Sequence, residues 1–372
     1  MNEQFTIPVG DEEILKQQIE EQRNLLSTDR LDLSFGEIVR MYQDGDLIIK
    51  PAFQRYFRWD IEQKTRFIES ILLGIPIPPI FVAADGKGVW ELVDGLQRVS
   101  TLLSFFGELR SEDEGIRSKN KWSLISGDRV SGLAGFNYEA MPELFRRGLK
   151  RATCRVEILN WNSNYDMRFE LFNRLNTGGS PLTEQEIRNC IYRDISDDFN
   201  NFLKELSGNP DFVALTELED EKVEQLYHEE LALRFISLYE NVANVKGSIS
   251  QHMTTFMKDA LENSAFDYAK YRKLFCDVFS LLNKEPLNSS IFRQRKGGQF
   301  STALYDVITI GIGENYNYYK DQPANAILLK IDNEVRKDEV LKKFSRKGGN
   351  NERVRIVNRL REAKRIFGQK ID

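Results

Sequence analysis

Apolar positions follow two different periods along the chain, and the change between them divides it near residue 183. SFGEIVRMYQDGDL has helical spacing, and LIIKPAF is a strand running into a proline turn. A punctuated helix follows. Asp60 stands at its N-cap with Gln63 three residues on, Ile61, Ile68, Ile71 and Leu72 form its apolar face, and Gly74 stops it. IPPIFVAA is a continuous apolar run that predicts a buried strand, DGKG a hairpin turn, and VWELV the returning strand. Leu96, Val99, Leu102, Leu103 and Phe106 then define a second helix, closed by Gly107. Residues 110–150 are polar and Gly-rich, as in an excursion from the fold, and TCRVEILNW at 153–161 alternates as a strand.

NYDMRFELFNRLN is helical and ends in the turn TGGS, after which Thr183 and Glu186 form a capping box for the next helix. Beyond 184 helical patterns dominate, from FNNFLKELS and VEQLYHEELALRFISLYENV to a last helix after 350. The expected class is therefore α+β. A lead-in helix over 1–30 precedes a domain over 31–183 with a small mixed sheet, and a mainly helical region over 184–372 follows.

Length and composition limit the possibilities further. The chain has 372 residues, 41% hydrophobic and 29% charged, enough for a substantial core and unlike a disordered chain. Three cysteines, Cys154, Cys190 and Cys276, lie far apart, which excludes a disulfide framework and a C-x-x-C pair. Two histidines, His228 and His252, sit in helix-like stretches; a His-Asn-His nuclease and most zinc hydrolases need more. No secretory signal is evident, and the longest apolar run, at 71–84, carries three prolines and is too short to span a bilayer. A cytoplasmic protein without a membrane partner is expected.

Three polar clusters are candidates for chemistry. In VDGLQR at 93–98 a strand ends, Asp94 and Gly95 turn, and Gln97 and Arg98 enter the first turn of a helix. Backbone N–H groups and the helix dipole attract an anion there, Gly95 permits close approach, and Arg98 offers a bidentate contact to phosphate. The plain alternative is that Asp94 caps the helix and Arg98 is solvated. In PAFQRYFRW at 51–59, Gln54, Arg55 and Arg58 alternate with aromatic rings, which suits either a clamp on a base and its phosphate or core anchors beside a charged surface. In FNRLNTGGSPLT at 172–183, Asn173, Arg174 and Asn176 precede Gly178 and Gly179, which form either an anion nest or a Gly C-cap before a new helix.

In order, PAFQRYFRW, ESILLGIPIPPIFV, LVDGLQRVSTLLSFF and FNRLNTGGSPLTEQEIRN resemble the N-terminal domain family of GmrSD-type restriction endonucleases, itself related to the ParB-like fold. The family signature is Asp-Gly-Gln-Gln-Arg; here Leu96 replaces the first Gln. The resemblance implies a domain that binds, and often hydrolyses, a nucleoside triphosphate, with or without Mg2+, in bacterial defence against phage or foreign DNA. Asp94 and Arg98 would be its catalytic residues. Gln54, Arg55, Gly95, Gln97, Asn173, Asn176, Gly178 and Gly179 would bind the nucleotide. Fused members carry a His-Asn-His nuclease; the histidine count here suggests a nuclease supplied in trans, or sensing without cutting. A non-hydrolysing, nucleotide-gated module that binds DNA or a partner is the alternative reading.

The net charge of −5 speaks against a nucleic-acid coat, yet it is unevenly spread. Residues 336–370 hold 13 Lys/Arg against 4 Asp/Glu, whereas residues 1–335 hold 39 against 52. The last helix places Val354, Val357 and Leu360 on one face, leaving Arg353, Arg355, Arg359 and Arg361 as candidate DNA contacts. Alternatively, this helix docks on the acidic body, for instance at 217–225.

Overall fold

The computed structural model describes residues 9–24, 27–49, 59–110, 114–160, 169, 174, 183–192, 196–240, 245, 247–295, 297–344 and 353–368. The chain divides into two compact units, Met1–Pro181 and Leu182–Asp372.

The first unit is α+β. Its elements run α1 (Val9–Asn24), β1 (Thr28–Ser34), α2 (Phe35–Asp44), β2 (Leu47–Ile48), α3 (Ile61–Leu72), β3 (Ile80–Ala84), β4 (Trp90–Asp94), α4 (Leu96–Phe106), α5 (Glu114–Arg117), α6 (Glu143–Arg151) and β5 (Thr153–Leu159). The five strands form one mixed sheet in the order β1-β5-β3-β4-β2. β1/β5 and β3/β4 pair antiparallel, whereas β5/β3 and β4/β2 are parallel.

Local sequence explains most of these elements. Asp60 and Gln63 do form the reciprocal capping box of α3. The β3–β4 hairpin is tied by Asp85, whose carboxylate accepts from Lys87 N–H and Val89 N–H at 2.9 and 2.8 Å. Ile80, Val82 and Leu92 of the sheet pack with Ile68 of α3 and with Val99, Leu102 and Phe105 of α4. On α3 the buried face includes Phe67, while Ile61, expected inside, is exposed.

Two expectations need correction. Residues 110–150 are no excursion: Leu124, Leu133, Met141 and Leu149 belong to the core. Buried Glu69 pins the segment, accepting from the backbone N–H groups of Asp128, Arg129 and Val130 at 3.2, 2.8 and 2.7 Å. The chain before residue 31 is not all helix either, because β1 begins at Thr28. This edge strand has little apolar content, and backbone pairing with β5 holds it. The cross-strand pairs Arg30–Glu157 (3.0 Å) and Asp32–Arg155 (3.3 Å) add about 0.2–1 kcal/mol each.

The second unit is helical: α7 (Glu184–Tyr192), α8 (Asp198–Ser207), α9 (Pro210–Thr216), α10 (Asp220–Glu224), α11 (Tyr227–Glu240), α12 (Ile249–Glu262), α13 (Tyr268–Leu282), α14 (Thr302–Glu314), α15 (Tyr316–Tyr319), α16 (Ala324–Lys330), α17 (Glu339–Phe344) and α18 (Arg353–Phe367). Its core is aromatic, with Phe212, Phe235, Phe275 and Phe279 stacking edge-on or tilted around α13. Both histidines lie inside it. His228 meets Thr216 Oγ1 at 2.9 Å and His252 meets the Ser237 carbonyl at 3.1 Å, and burial pushes both imidazoles below the ordinary histidine range.

Candidate functional site at the turn after β4

β4 ends at Asp94, and Gly95 turns the chain with φ +100° into α4. A Cβ at Gly95 would lie 2.6 Å from Ile80 Cγ2, so position 95 requires glycine for space as well as for conformation. The α4 N-cap is Gly95, with no side-chain cap, so Asp94 does not do the capping work that the plain reading assigned to it.

The Asp94 carboxylate turns instead to Arg98, one helical turn on, and accepts from its Nη2–H at 2.6 Å. Arg98 Nη1 donates to the carbonyls of Pro78 and Pro79 at 2.7 and 2.9 Å. Its side chain is only 13% exposed, against 32% for Asp94, so Arg98 is a fixed group and not a solvated one. Gln97 is also buried, and its Oε1 accepts from Trp59 N–H at 3.2 Å. Three motif blocks therefore meet here: the end of PAFQRYFRW at Trp59, the prolines of ESILLGIPIPPIFV, and DGLQR itself.

Composition did not point to the backbone partners, Trp59 N–H and the two proline carbonyls. The consecutive prolines were the available signal, since each has its φ fixed and has no N–H of its own. Cys154 of β5 lies close by, its Sγ 4.0 Å from the same Pro78 carbonyl. Burial pushes this thiol up, which keeps it protonated and unsuited to nucleophilic attack.

Gln54, Arg55, Asn173, Asn176, Gly178 and Gly179 lie outside the described residues. The motif block that ends in TEQEIRN is described from Thr183. Thr183 and Glu186 cap α7 reciprocally, as expected. Gln185, Glu186 and Arg188 are buried in the helical unit, where Arg188 Nε donates to Gln185 Oε1 at 3.0 Å and Arg188 Nη2 to Glu230 at 3.3 Å. Among the described residues no group of three His, Cys, Asp or Glu gathers as for a metal ion. Asp94 is the carboxylate of the turn.

The basic last helix, α18, departs from expectation in its register. It packs along α14 within the helical unit, not at 217–225, and buries Ile356, Leu360, Ala363 and Phe367. Val354, expected inside, is 66% exposed. Arg359, expected to reach DNA, is fully buried, with its Nη2 3.2 Å from Asp306 Oδ2. Asp306 also takes a two-pronged contact from Arg234, at 2.6 and 2.8 Å. Arg353 donates to the Val245 carbonyl at 2.7 Å, Arg355 is half-buried, and Arg361 is exposed with Asn358 as its neighbour at 3.2 Å.

Residues 35–193 match the family model of the GmrSD restriction endonuclease, N-terminal domain. This segment is a GmrSD N-terminal domain. No curated protein and no solved structure matches the chain. The GmrSD match reaches beyond the first compact unit, and its last block, TEQEIRN, buries Gln185, Glu186, Ile187 and Arg188 in the helical unit. The matched family is that of the N-terminal domain of a restriction endonuclease. Among the described residues no helix is long and apolar enough to cross a membrane.

Proposed function

We propose that this chain is a nucleotide-binding protein of bacterial defence that hydrolyses a nucleoside triphosphate at the turn after β4 and thereby gates recognition or cleavage of DNA. The observation that carries this reading is the meeting of Trp59, Pro78, Pro79, Asp94, Gln97 and Arg98 around one helix N-terminus, at a turn that Gly95 packs tightly against Ile80. In hydrolysis a water oxygen attacks the γ-phosphorus and the bond to the β–γ bridging oxygen breaks, the electron pair leaving with that oxygen. Asp94 orients the water and takes its proton, and Arg98 balances the charge that develops on the phosphoryl oxygens. Mg2+, if it accompanies the triphosphate, would neutralise phosphate charge, and Asp94 is the carboxylate of this turn that would hold it. A nuclease acting in trans would perform the cut.

The test is phosphate release from each of the four ribonucleoside triphosphates by wild type and Asp94→Asn, a change that keeps the side chain's shape. A loss of about 100-fold or more supports the assignment, in the range that a positioned acid or base contributes. Equal release by both proteins overturns it.

A second reading, nucleotide binding without turnover, draws on the 2.6 Å closure of Arg98 onto Asp94, which occupies both groups with each other. Calorimetry that shows binding by a wild type with negligible phosphate release would select it.

A further inference from the structure

The helical unit contains a cleft of about 920 Å³, far in sequence from the turn after β4. Its walls come from the end of α14, from α15, from Tyr239 of α11 and Leu274 of α13, and from the end of α18. Three tyrosines, Tyr239, Tyr316 and Tyr318, line it together with Asn315 and Asn317. Lys364 of the basic helix stands in the same lining and is paired with Glu314 at 3.3 Å.

This composition suits one kind of ligand better than others. Tyrosine faces offer stacking platforms to flat rings, and asparagine amides match the mixed donor and acceptor edges of a base. Lys364, with a side chain 54% exposed, supplies a charge for phosphate, which would displace it from Glu314. Tyr318 is 44% exposed and meets the Tyr319 ring edge-on at 5.0 Å, a contact that holds the ring while part of its surface stays open to solvent. Burial and neighbouring Asp277 push the Tyr316 phenol up, so it stays a neutral hydroxyl and keeps its proton to donate.

We propose that this cleft binds single-stranded nucleic acid, with a base stacked on Tyr318 and the adjoining phosphate on Lys364. The proposal rests on the reading that the chain contacts DNA and adds to it a site and a strand preference.

The test uses the full chain and a fluorescein-labelled single-stranded DNA 12-mer, with the same sequence as a duplex, followed by anisotropy over a range of salt. Tyr318→Ala is expected to weaken single-strand binding about tenfold and leave its salt dependence unchanged, within the range for loss of one stacked base. Tyr318→Phe, which keeps the ring, should bind as wild type. Lys364→Gln should flatten the slope of log affinity against log salt by about 0.7, the value for one phosphate on a single strand. Wild-type affinity in Tyr318→Ala overturns the proposal. If Arg361→Gln weakens the duplex while both cleft variants bind single strands normally, the cleft assignment fails and DNA contact stands. If wild type binds neither oligonucleotide, both fail.

Discussion

Gln97 Oε1 accepts the Trp59 backbone N–H at 3.2 Å, joining two motif blocks that lie 38 residues apart. This bond fixes the chain just after the arginine-rich stretch 51–58 against the first turn of α4. Trp59 then sets its ring edge-on to Phe67, with centroids 5.5 Å apart. Replacing Gln97 with Leu strands the Trp59 N–H beside an apolar side chain, and should cost about 1–3 kcal/mol in urea unfolding. Near-UV circular dichroism should change with it as Trp59 loses its fixed setting. A Gln97→Leu protein with wild-type midpoint and spectrum would show that the bond is dispensable.

Gly95→Ala should be among the most damaging small substitutions in the first unit. It forces a residue with a Cβ into φ +100° and places that Cβ 2.6 Å from Ile80 Cγ2. Strain of this kind costs roughly 1–3 kcal/mol before the clash is counted. Ile80→Leu, which removes the β-branch, should recover the clash but not the dihedral cost. The urea midpoints of the single and double variants separate the two contributions.

Much of this was legible from the chain alone. The α3 cap, the β3–β4 hairpin, the glycine stops and the Thr183–Glu186 box are local arrangements, determined by residues within a few positions of one another. What was not legible depends on distant partners. β1 shows only Leu31 and Leu33 alternating, and it becomes a strand because β5 supplies its hydrogen bonds. The register of α18 was misjudged because an arginine is ordinarily assigned to solvent. Asp306, on a helix about fifty residues earlier, makes position 359 an interior one. The Asp94–Arg98 pair was within reach as an i,i+4 contact, while the proline carbonyls that hold Arg98 were not.

Asp306 lies between Arg234 and Arg359 and contacts both, so its loss and theirs are not equivalent. Burial works against the charge on both arginines. Asp306 more than offsets this for Arg234, whose pKa rises, whereas that of Arg359 is lowered. Asp306→Ala should cost about 3–5 kcal/mol, because it leaves buried positive charge uncompensated. Arg359→Met keeps the Arg234–Asp306 pair and should cost about 1 kcal/mol or less. Equal destabilisation in thermal or urea unfolding would refute this asymmetry.

The two buried histidines predict a pH response. Burial lowers both pKa values in the folded state, so the unfolded chain binds more protons as pH falls below the ordinary value near 6.5. Their contribution is intact above that pH and is lost progressively below it. Buried Glu229 and Glu230 act in the opposite sense, since raised carboxyl pKa values favour the folded state at lower pH. The comparison is therefore between wild type and His252→Gln, whose amide can still donate to the Ser237 carbonyl. Unfolding free energy from pH 7.5 to 5 should fall less steeply in the variant; parallel curves would exclude His252 as a source.

The pairing of β1 with β5 imposes an order on the making of the protein. Residues 28–34 leave the ribosome first but find their hydrogen-bond partners only in residues 153–159. At about 5–20 residues per second the nascent strand waits on the order of ten seconds. Its charged alternation, Asp29, Arg30 and Asp32, suits that interval, since such a segment resists pairing with a neighbouring chain while its own partner is still being synthesised.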